Sequence, residues 1–326
     1  MADDKLAQPF SLAGKRVWVA GHRGMVGSAT VRRLARENCE ILVANRAELE
    51  LRDQSNVLAW MERTKPDVVI VAAATVGGIY ANSTRPADFL YDNLAIETNI
   101  IHAAYKLETP KLLFLGSACI YPREAPQPMS EDALLTGPLE PTNEWYAIAK
   151  IAGIKLCQAY RQQHGCDFIS AQPNNLYGPG DNFDLEGSHV IPALMIKAHE
   201  AKLSGAASFE LWGSGKPLRE FLHVDDLADA LVHLLKHYSG PVPLNIGTGE
   251  EVSIAELAHA IADAVGFKGT LTFDTSKPDG SPRKLLDDRR MKALGWTSSV
   301  GLKDGLASTY RWFLDHQTER RTSRFS

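Results

Sequence analysis

Arg16-Val17-Trp18-Val19-Ala20, followed at once by Gly21-His22-Arg23-Gly24-Met25-Val26-Gly27, is the stretch that decides the fold. The apolar five read as a strand, the G-x-x-G-x-x-G segment as a turn, and residues 25–36 as a helix. In that setting the first glycine permits a tight turn. The middle one lets backbone approach a pyrophosphate, and the last lets helix pack on strand. Phosphates would then meet free N–H groups and the positive end of the helix dipole. A glycine turn that serves only close packing is the plain alternative. The pattern repeats along the chain, with short apolar runs at 40–43, 67–74, 111–116 and 167–171. Helical stretches near 53–65, 86–107 and 143–164 separate them. The run at 67–74 is almost wholly apolar, which predicts burial on both faces. Strands alternating with helices of this length imply βαβ crossovers and an α/β fold built on a doubly wound parallel sheet.

Past Pro173 the texture changes. Residues 174–188 are rich in Gly, Asn, Asp and Pro, a long irregular segment of the kind that carries binding sites. Shorter units follow at 189–203, 207–212, 225–238, 243–246, 253–266 and 300–316. These predict a dinucleotide-binding domain over 14–175, to which segments near 220–248 return. A smaller α/β lobe is expected from 176–219 and 249–318. The first dozen residues and the tail from Glu319 read as frayed ends.

Composition narrows the function classes. At 326 residues the chain is about twice a common single domain. Thirty-five Lys and Arg against 39 Asp and Glu leave a net charge of −4, so no basic excess points to nucleic acid. No apolar run reaches the roughly 18 residues a membrane span needs. The polar, acidic start argues against a secretory signal. Cys39, Cys119, Cys157 and Cys166 show no metal-type spacing, which predicts reduced thiols in a cytoplasmic protein with no metal.

Cofactor choice is written at the end of the second strand. Ala44-Asn45-Arg46 has no carboxylate there to hold ribose hydroxyls, and Arg23 projects from the glycine turn. Two guanidiniums fit a 2′-phosphate and so favour NADP(H), against the plainer reading of two solvated arginines.

Tyr146-Ala147-Ile148-Ala149-Lys150 sets a phenol and an amine one turn apart on a helix. A free tyrosine titrates at about 10, and a nearby ammonium favours the phenolate. Such pairs are common by chance, but Ser117 follows the fourth strand at the carboxyl edge where ligands bind. Ser117, Tyr146 and Lys150 then form a proton-transfer triad. Tyr146 serves as acid, Ser117 hydrogen-bonds the carbonyl, and Lys150 lowers the phenol's pKa and holds the ribose.

At these residues the chain resembles the GDP-L-fucose synthases, extended short-chain dehydrogenase/reductases with a Rossmann-type domain. The resemblance is carried by GHRGMVGSA (21–29), VGGI (76–79), LFLGSACIYP (113–122) and EPTNEWYAIAKIAGIK (140–155). NLYG (175–178), SHVIPAL (188–194), WGSG (212–215), REFLHVDD (219–226) and SKPDG (276–280) continue it. It implies an NADPH-dependent epimerase–reductase that turns GDP-4-keto-6-deoxy-D-mannose into GDP-L-fucose, inverting C3 and C5 and then reducing C4. By resemblance Cys119 is the base of the epimerisation and His189 the acid. The nucleotide-sugar site is drawn from Lys197, Trp212, Arg219 and Asp279. The cofactor side adds His22, Met25, Val26, Asn45, Leu115, Gly116, Pro173, Asn174, Asn175, Leu176 and His189 to the glycines and arginines. A homodimer through the helix of Tyr146 and its predecessor is also implied.

Three positions depart from the family: Lys197 where Arg is common, Ala118 where a second Ser is frequent, and Asn174 where Thr is usual. The ammonium of Lys197 cannot form the bidentate fork. Core packing remains an alternative for Trp212. Asp225-Asp226 could suggest a metal but fit helix capping and domain packing better. The nearest rivals are 4-epimerases and other sugar 4-reductases of the same fold, and 4,6-dehydratases, which carry an Asp-Glu pair where Ala118-Cys119 stand. A non-catalytic NADP-binding regulator is the rival of a different class. The 2′-phosphate reading predicts that Arg46→Ala weakens NADPH about 10–100-fold and NADH hardly at all. Equal losses in a fluorescence titration of both cofactors would remove Arg46 from phosphate recognition.

Overall fold

A computed structural model describes residues 9–184, 187–277 and 279–317. Parts of the expected ends, the boundary at 318 and Pro278 of the 276–280 motif lie outside the described residues. The strands are β1 (Arg16–Ala20), β2 (Glu40–Leu42), β3 (Val68–Val71), β4 (Lys111–Leu115) and β5 (Phe168–Pro173). They continue as β6 (Asn175–Tyr177), β7 (Ser208–Trp212), β8 (Leu218–Arg219), β9 (Phe221–His223) and β10 (Leu244–Ile246). The last are β11 (Val252–Ser253), β12 (Thr270–Asp274) and β13 (Arg283–Lys284). The helices are α1 (Met25–Leu34), α2 (Gln54–Thr64), α3 (Ile79–Thr84), α4 (Pro86–Lys106) and α5 (Glu144–His164). Five more follow as α6 (Val190–Ser204), α7 (Val224–His237), α8 (Ile254–Val265), α9 (Arg289–Ala293) and α10 (Leu302–Asp315).

One six-stranded parallel sheet, in the order β10-β5-β4-β3-β1-β2, organises the molecule. The doubly wound α/β expectation is met. Every residue of β3 and β4 is buried because helices cover both faces of the sheet. One core face packs α2, α4 and α5 around Trp18, Phe114 and Phe168, and the other packs α7 around Val17, Ile70 and Leu231. A third apolar cluster, with Leu257, Phe209 and Phe313, builds the region of α6, α8 and α10. At one edge of this sheet β10 pairs in parallel with β5.

Local chemistry sets the helix ends. Asp53 caps α2 by accepting from Asn56 N–H at 3.0 Å, and Ser253 with Glu256 forms a capping box on α8. At α7 the expectation changes: the cap is His223, whose imidazole accepts from the Asp225 N–H. Asp225 pairs instead with Arg32 at 2.7 Å, and buried Asp226 accepts from the N–H groups of Ser299 and Val300. Both still favour the helix dipole from its first turn. Among the described residues no His, Cys, Asp and Glu gather as metal ligands.

The segment after Pro173 begins with an unexpected strand. Short β6 pairs with β9, β8 sits between β11 and β13, and β12 pairs with β7. Strands of two or three residues carry too little periodicity to stand out in a sequence. Glu220, between β8 and β9, is fully buried. Its carboxylate accepts from Thr248 N–H at 2.7 Å, Gly249 N–H at 2.8 Å and Leu286 N–H at 3.2 Å, and from the Asn174 amide. One anion thereby ties four separate chain segments. Glu220→Gln turns an N–H group toward those donors and is expected to cost about 3 kcal/mol. For a chain of this length that lowers Tm by roughly 4 °C in thermal unfolding, and an unchanged Tm would contradict the role.

Candidate active site

The parallel sheet aims Gly21, Leu115 and Pro173, at the ends of β1, β4 and β5, toward one edge. Gly21 has φ +88°, and a Cβ there would lie 2.7 Å from the Ala73 backbone. A Cβ on Gly27 would meet the Gly21 carbonyl oxygen at 2.2 Å, so this glycine packs helix on turn rather than on strand. Gly24 is different: its Cβ would meet nothing nearer than 3.4 Å. The side it leaves open is the outer face of the turn, where α1 starts with neither a side-chain cap nor a first-turn acid. Those features suit a dinucleotide's phosphates. Arg23 and Arg46 are both exposed nearby. The expectation of an acid-free strand end does not hold, however. Glu48 folds back to accept from Asn45 N–H at 2.9 Å, and Glu50 pairs with Arg46 at 3.2 Å. The Asn45 side chain makes that turn by accepting from Ala47 N–H.

Beyond β4 the chain turns at Gly116, where a Cβ would collide with the Gln172 side chain. Gln172 accepts from Ser117 N–H at 3.1 Å and so fixes the turn. Ser117 then caps a single 3₁₀ turn, accepting from Cys119 N–H at 3.2 Å. That turn packs on α5, which carries Tyr146 and Lys150. The Ser117 hydroxyl lies close enough to the Tyr146 phenol to favour its ionised form. Lys150 is buried, its ammonium 4.7 Å from the Phe114 ring centroid and 5.9 Å from that of Tyr146.

Sequence reasoning expected Lys150 to lower the phenol's pKa. In the structure burial pushes Tyr146 up, the charges of Cys119 and Glu97 add to this, and only the Ser117 hydroxyl opposes it. The reason is that burial also pulls the Lys150 ammonium down, so its field is weakened at the source.

Cys119 has a neighbour that the sequence did not single out: Lys284 donates to its sulfur at 3.7 Å. The signal available was the RK pair just beyond the 276–280 motif. Register matters here, because β13 sets Lys284 opposite Arg219 of β8. The thiol is thus linked through one strand pair to a cavity of about 270 Å³ lined by Asn175, Val190, Trp212, Arg219, Asp279 and Gly280. His189 precedes Val190 and caps α6 through its backbone. His189 is exposed, and the surrounding protein pushes its imidazole down.

Trp212 is 67% exposed, which rules out core packing. The ammonium groups of Lys197 and Lys277 lie 5.4 and 5.6 Å from its ring centroid. Lys197 sits beside the cavity and donates to the Glu210 carbonyl at 3.3 Å. Arg219 has no carboxylate within 4 Å among the described residues, and burial lowers its pKa. A guanidinium so placed is well suited to an anion. Asp279 is engaged by Ser214, accepting from its N–H at 2.8 Å and from its hydroxyl at 2.7 Å. Asn174 turns inward to Glu220, whereas Asn175 reaches the cavity.

Comparison with known sequences fits this arrangement. The sequence profile of the NAD dependent epimerase/dehydratase family matches residues 17–247, from β1 through β10. The chain belongs to that family. Within it, a protein of Sinorhizobium fredii named GDP-L-fucose synthase is 59% identical across 94% of this chain and 98% of its own length. A protein of the same name from Escherichia coli is 54% identical, covering 94% and 98%. Among solved structures, a GDP-L-fucose synthetase from Naegleria fowleri bound to NADP superposes with a TM-score of 0.89 at 30% identity. It covers 97% of this chain and 99% of that one.

Of the family residues expected from sequence, Ser117, Cys119, Tyr146 and Lys150 assemble at the β4–α5 junction. Lys197, Trp212, Arg219 and Asp279 assemble around the neighbouring cavity. Three other histidines have their own partners: His102 with Tyr160, buried His199 with Tyr310, and His233 with the Leu294 carbonyl. All four cysteines are free thiols, and burial pushes Cys39, Cys157 and Cys166 up, away from reactivity.

Proposed function

We propose that the chain converts GDP-4-keto-6-deoxy-D-mannose to GDP-L-fucose with NADPH, through epimerisation at C3 and C5 followed by reduction at C4. The observation that carries this reading is the single turn after β4, which holds the Ser117 hydroxyl toward Tyr146 and the Cys119 thiol toward Lys284. Hydroxyl and thiol are two residues apart, so one sugar ketone can be addressed by both. Relatives named GDP-L-fucose synthase at 54–59% identity support the choice of substrate.

Hydrogens on the carbons flanking a ketone are acidic because the enolate charge moves onto oxygen. In this reading Cys119 removes such a proton, while Ser117 and Tyr146 donate hydrogen bonds to the enolate oxygen. His189 returns a proton to the opposite face. The downward shift of its imidazole favours the neutral ring and makes the protonated form a readier proton donor. Arg219 and Lys197 hold the diphosphate, and Trp212 offers a flat apolar surface.

For the reduction, Tyr146 gives its proton to the C4 oxygen and Lys150 holds the ribose. NADPH supplies the hydride. The glycine turn from Gly21 to Gly27, with Arg23 and Arg46, would hold its phosphates. Leu115, Gly116 and residues 173–176 would border its nicotinamide end. The Glu50 carboxylate, paired with Arg46, orients that guanidinium. An enzyme without the Asp-Glu pair of the dehydratases cannot expel water by acid assistance, and a simple 4-epimerase has no use for Cys119.

We further propose a homodimer through α4 and α5, whose outer residues Tyr91, Trp145 and Ile148 are exposed apolar side chains. A cytoplasmic setting is consistent with the free cysteines, and no described helix is long and apolar enough to cross a membrane. Sedimentation velocity at micromolar protein should show the dimer, and a monomer throughout would refute it. The chemistry has its own test. Cys119→Ser should abolish solvent deuterium incorporation at C3 and C5 while NADPH still binds, and Tyr146→Phe should stop NADPH oxidation while exchange persists in part. Unchanged exchange in the first variant, or normal turnover in the second, would overturn the assignment.

A further inference from the structure

In the reading above Cys119 does the proton work of the epimerisation, and a neutral thiol is a poor base. The thiolate is the reactive form of a cysteine, and a cation beside the sulfur favours it. The turn after β4 holds the Cys119 backbone, through the N–H that Ser117 accepts at 3.2 Å. What meets the sulfur itself comes from far along the chain. Lys284 donates to it at 3.7 Å, across 165 positions.

The fold places that amine deliberately. In the small sheet β11-β8-β13, register sets Arg283 opposite Leu218 and Lys284 opposite Arg219. Successive side chains leave a strand on opposite sides. Arg283 goes outward to Glu251 at 2.8 Å, and half-buried Lys284 goes to the sulfur. The chain is pinned on both sides of this pair. The Pro282 carbonyl accepts from Leu218 N–H at 2.9 Å, and the Leu285 carbonyl accepts from Met129 N–H at 2.8 Å. Leu285 N–H donates to the Gln127 side chain at 2.9 Å, and Leu286 N–H to Glu220 at 3.2 Å. Acids close by in the chain or the sheet are engaged by other cations: Glu251 by Arg283, Asp287 by Arg289 and Asp288 by Lys292. The charge of Lys284 is therefore left to the sulfur it touches.

We propose that Lys284 is a further catalytic residue of the epimerisation, the cation that holds Cys119 as the thiolate base. The thiolate takes a proton from the carbon beside the ketone and becomes a thiol, while the C–H electron pair moves into the enolate. His189 returns a proton to the opposite face, and Lys284 keeps its own protons throughout. Inversion at the second carbon needs the anionic sulfur again, so the cation serves both rounds. This inference rests on the base role proposed above for Cys119.

The test uses the full chain and two readouts. One is alkylation of Cys119 by iodoacetamide at neutral pH without substrate, followed by mass spectrometry of the peptide that carries it. The other is solvent deuterium exchange at C3 and C5 of the keto-sugar. Lys284→Met, similar in length and uncharged, is expected to slow the alkylation about 10-fold and the exchange about 100-fold while NADPH still binds. Lys284→Gln supplies the same readouts if the methionine variant misfolds. Lys284→Arg keeps a cation and should be faster than Lys284→Met in both measurements; an arginine variant as slow as the methionine one would overturn the need for charge. Parental alkylation and exchange in Lys284→Met would overturn the proposal. So would slow exchange with parental alkylation, which would make Lys284 a ligand of the substrate's anion instead. Cys119→Ser separates the two levels. Lost exchange in that variant upholds the thiol as base whatever Lys284 does, whereas parental exchange would remove the base and the cation's role together.

Discussion

The approach of α5 to β4 is the contact on which the site depends. Gly153 of α5 lies over Phe114 so closely that a Cβ there would stand 2.4 Å from the ring. Overpacking of that kind costs about 1–3 kcal/mol and forces the Phe114 ring or the helix to shift. Because no Cβ is present, α5 settles against the strand. Tyr146 then reaches Ser117 at the strand's end, and Lys150 rests on the same Phe114 ring. A helix displaced by even an ångström would separate the phenol from the hydroxyl, and acid–base chemistry depends steeply on that distance. The glycine turn solves a similar problem at β1, where Gly21 passes the Ala73 backbone.

Burial at this junction has electrostatic consequences. Tyr146, Lys150 and Glu97 are all shifted toward their neutral forms by the removal of water. Low polarisability raises the worth of each remaining interaction, so a single hydroxyl or carboxylate can decide where a proton rests. Proton transfer to a sugar oxygen benefits from such a setting, since the same groups stabilise an oxyanion more strongly than they would in water. The substrate side is built on the opposite plan. Lys197 and Lys277 set their ammonium groups beside the exposed Trp212 ring, and half-buried Arg219 lines the adjoining cavity, an arrangement suited to an anionic ligand.

The two halves are joined by backbone rather than by side-chain packing alone. Glu220 gathers N–H groups from the 248–249 turn and from Leu286, and β13 lays Lys284 beside Arg219. Any loosening of this knot would shift Lys284 relative to Cys119 and Arg219 relative to the cavity. The residues that hold the thiol and those that would hold the nucleotide therefore share one support.

Much of the architecture was legible in the chain itself. Runs such as Val68–Val71 and Lys111–Leu115 announce buried parallel strands because a fully covered strand must be apolar on both faces. The glycine turn, Tyr146 with Lys150, and the Ser117–Cys119 segment are local patterns, and local patterns survive in one dimension. Tertiary structure decided the rest. Lys284 meets Cys119 across 165 positions, through a two-residue strand no periodicity reveals. Glu48 folds back onto Asn45 because a side-chain turn reverses the backbone there. His223 displaced the acidic pair as the cap of α7 once Asp226 was drawn to Ser299. Glu97 looked like any helical glutamate until α5 closed over it. Sequence encodes which residues must leave water. Which charges they then meet is settled only by strand register and helix approach, which no single segment contains.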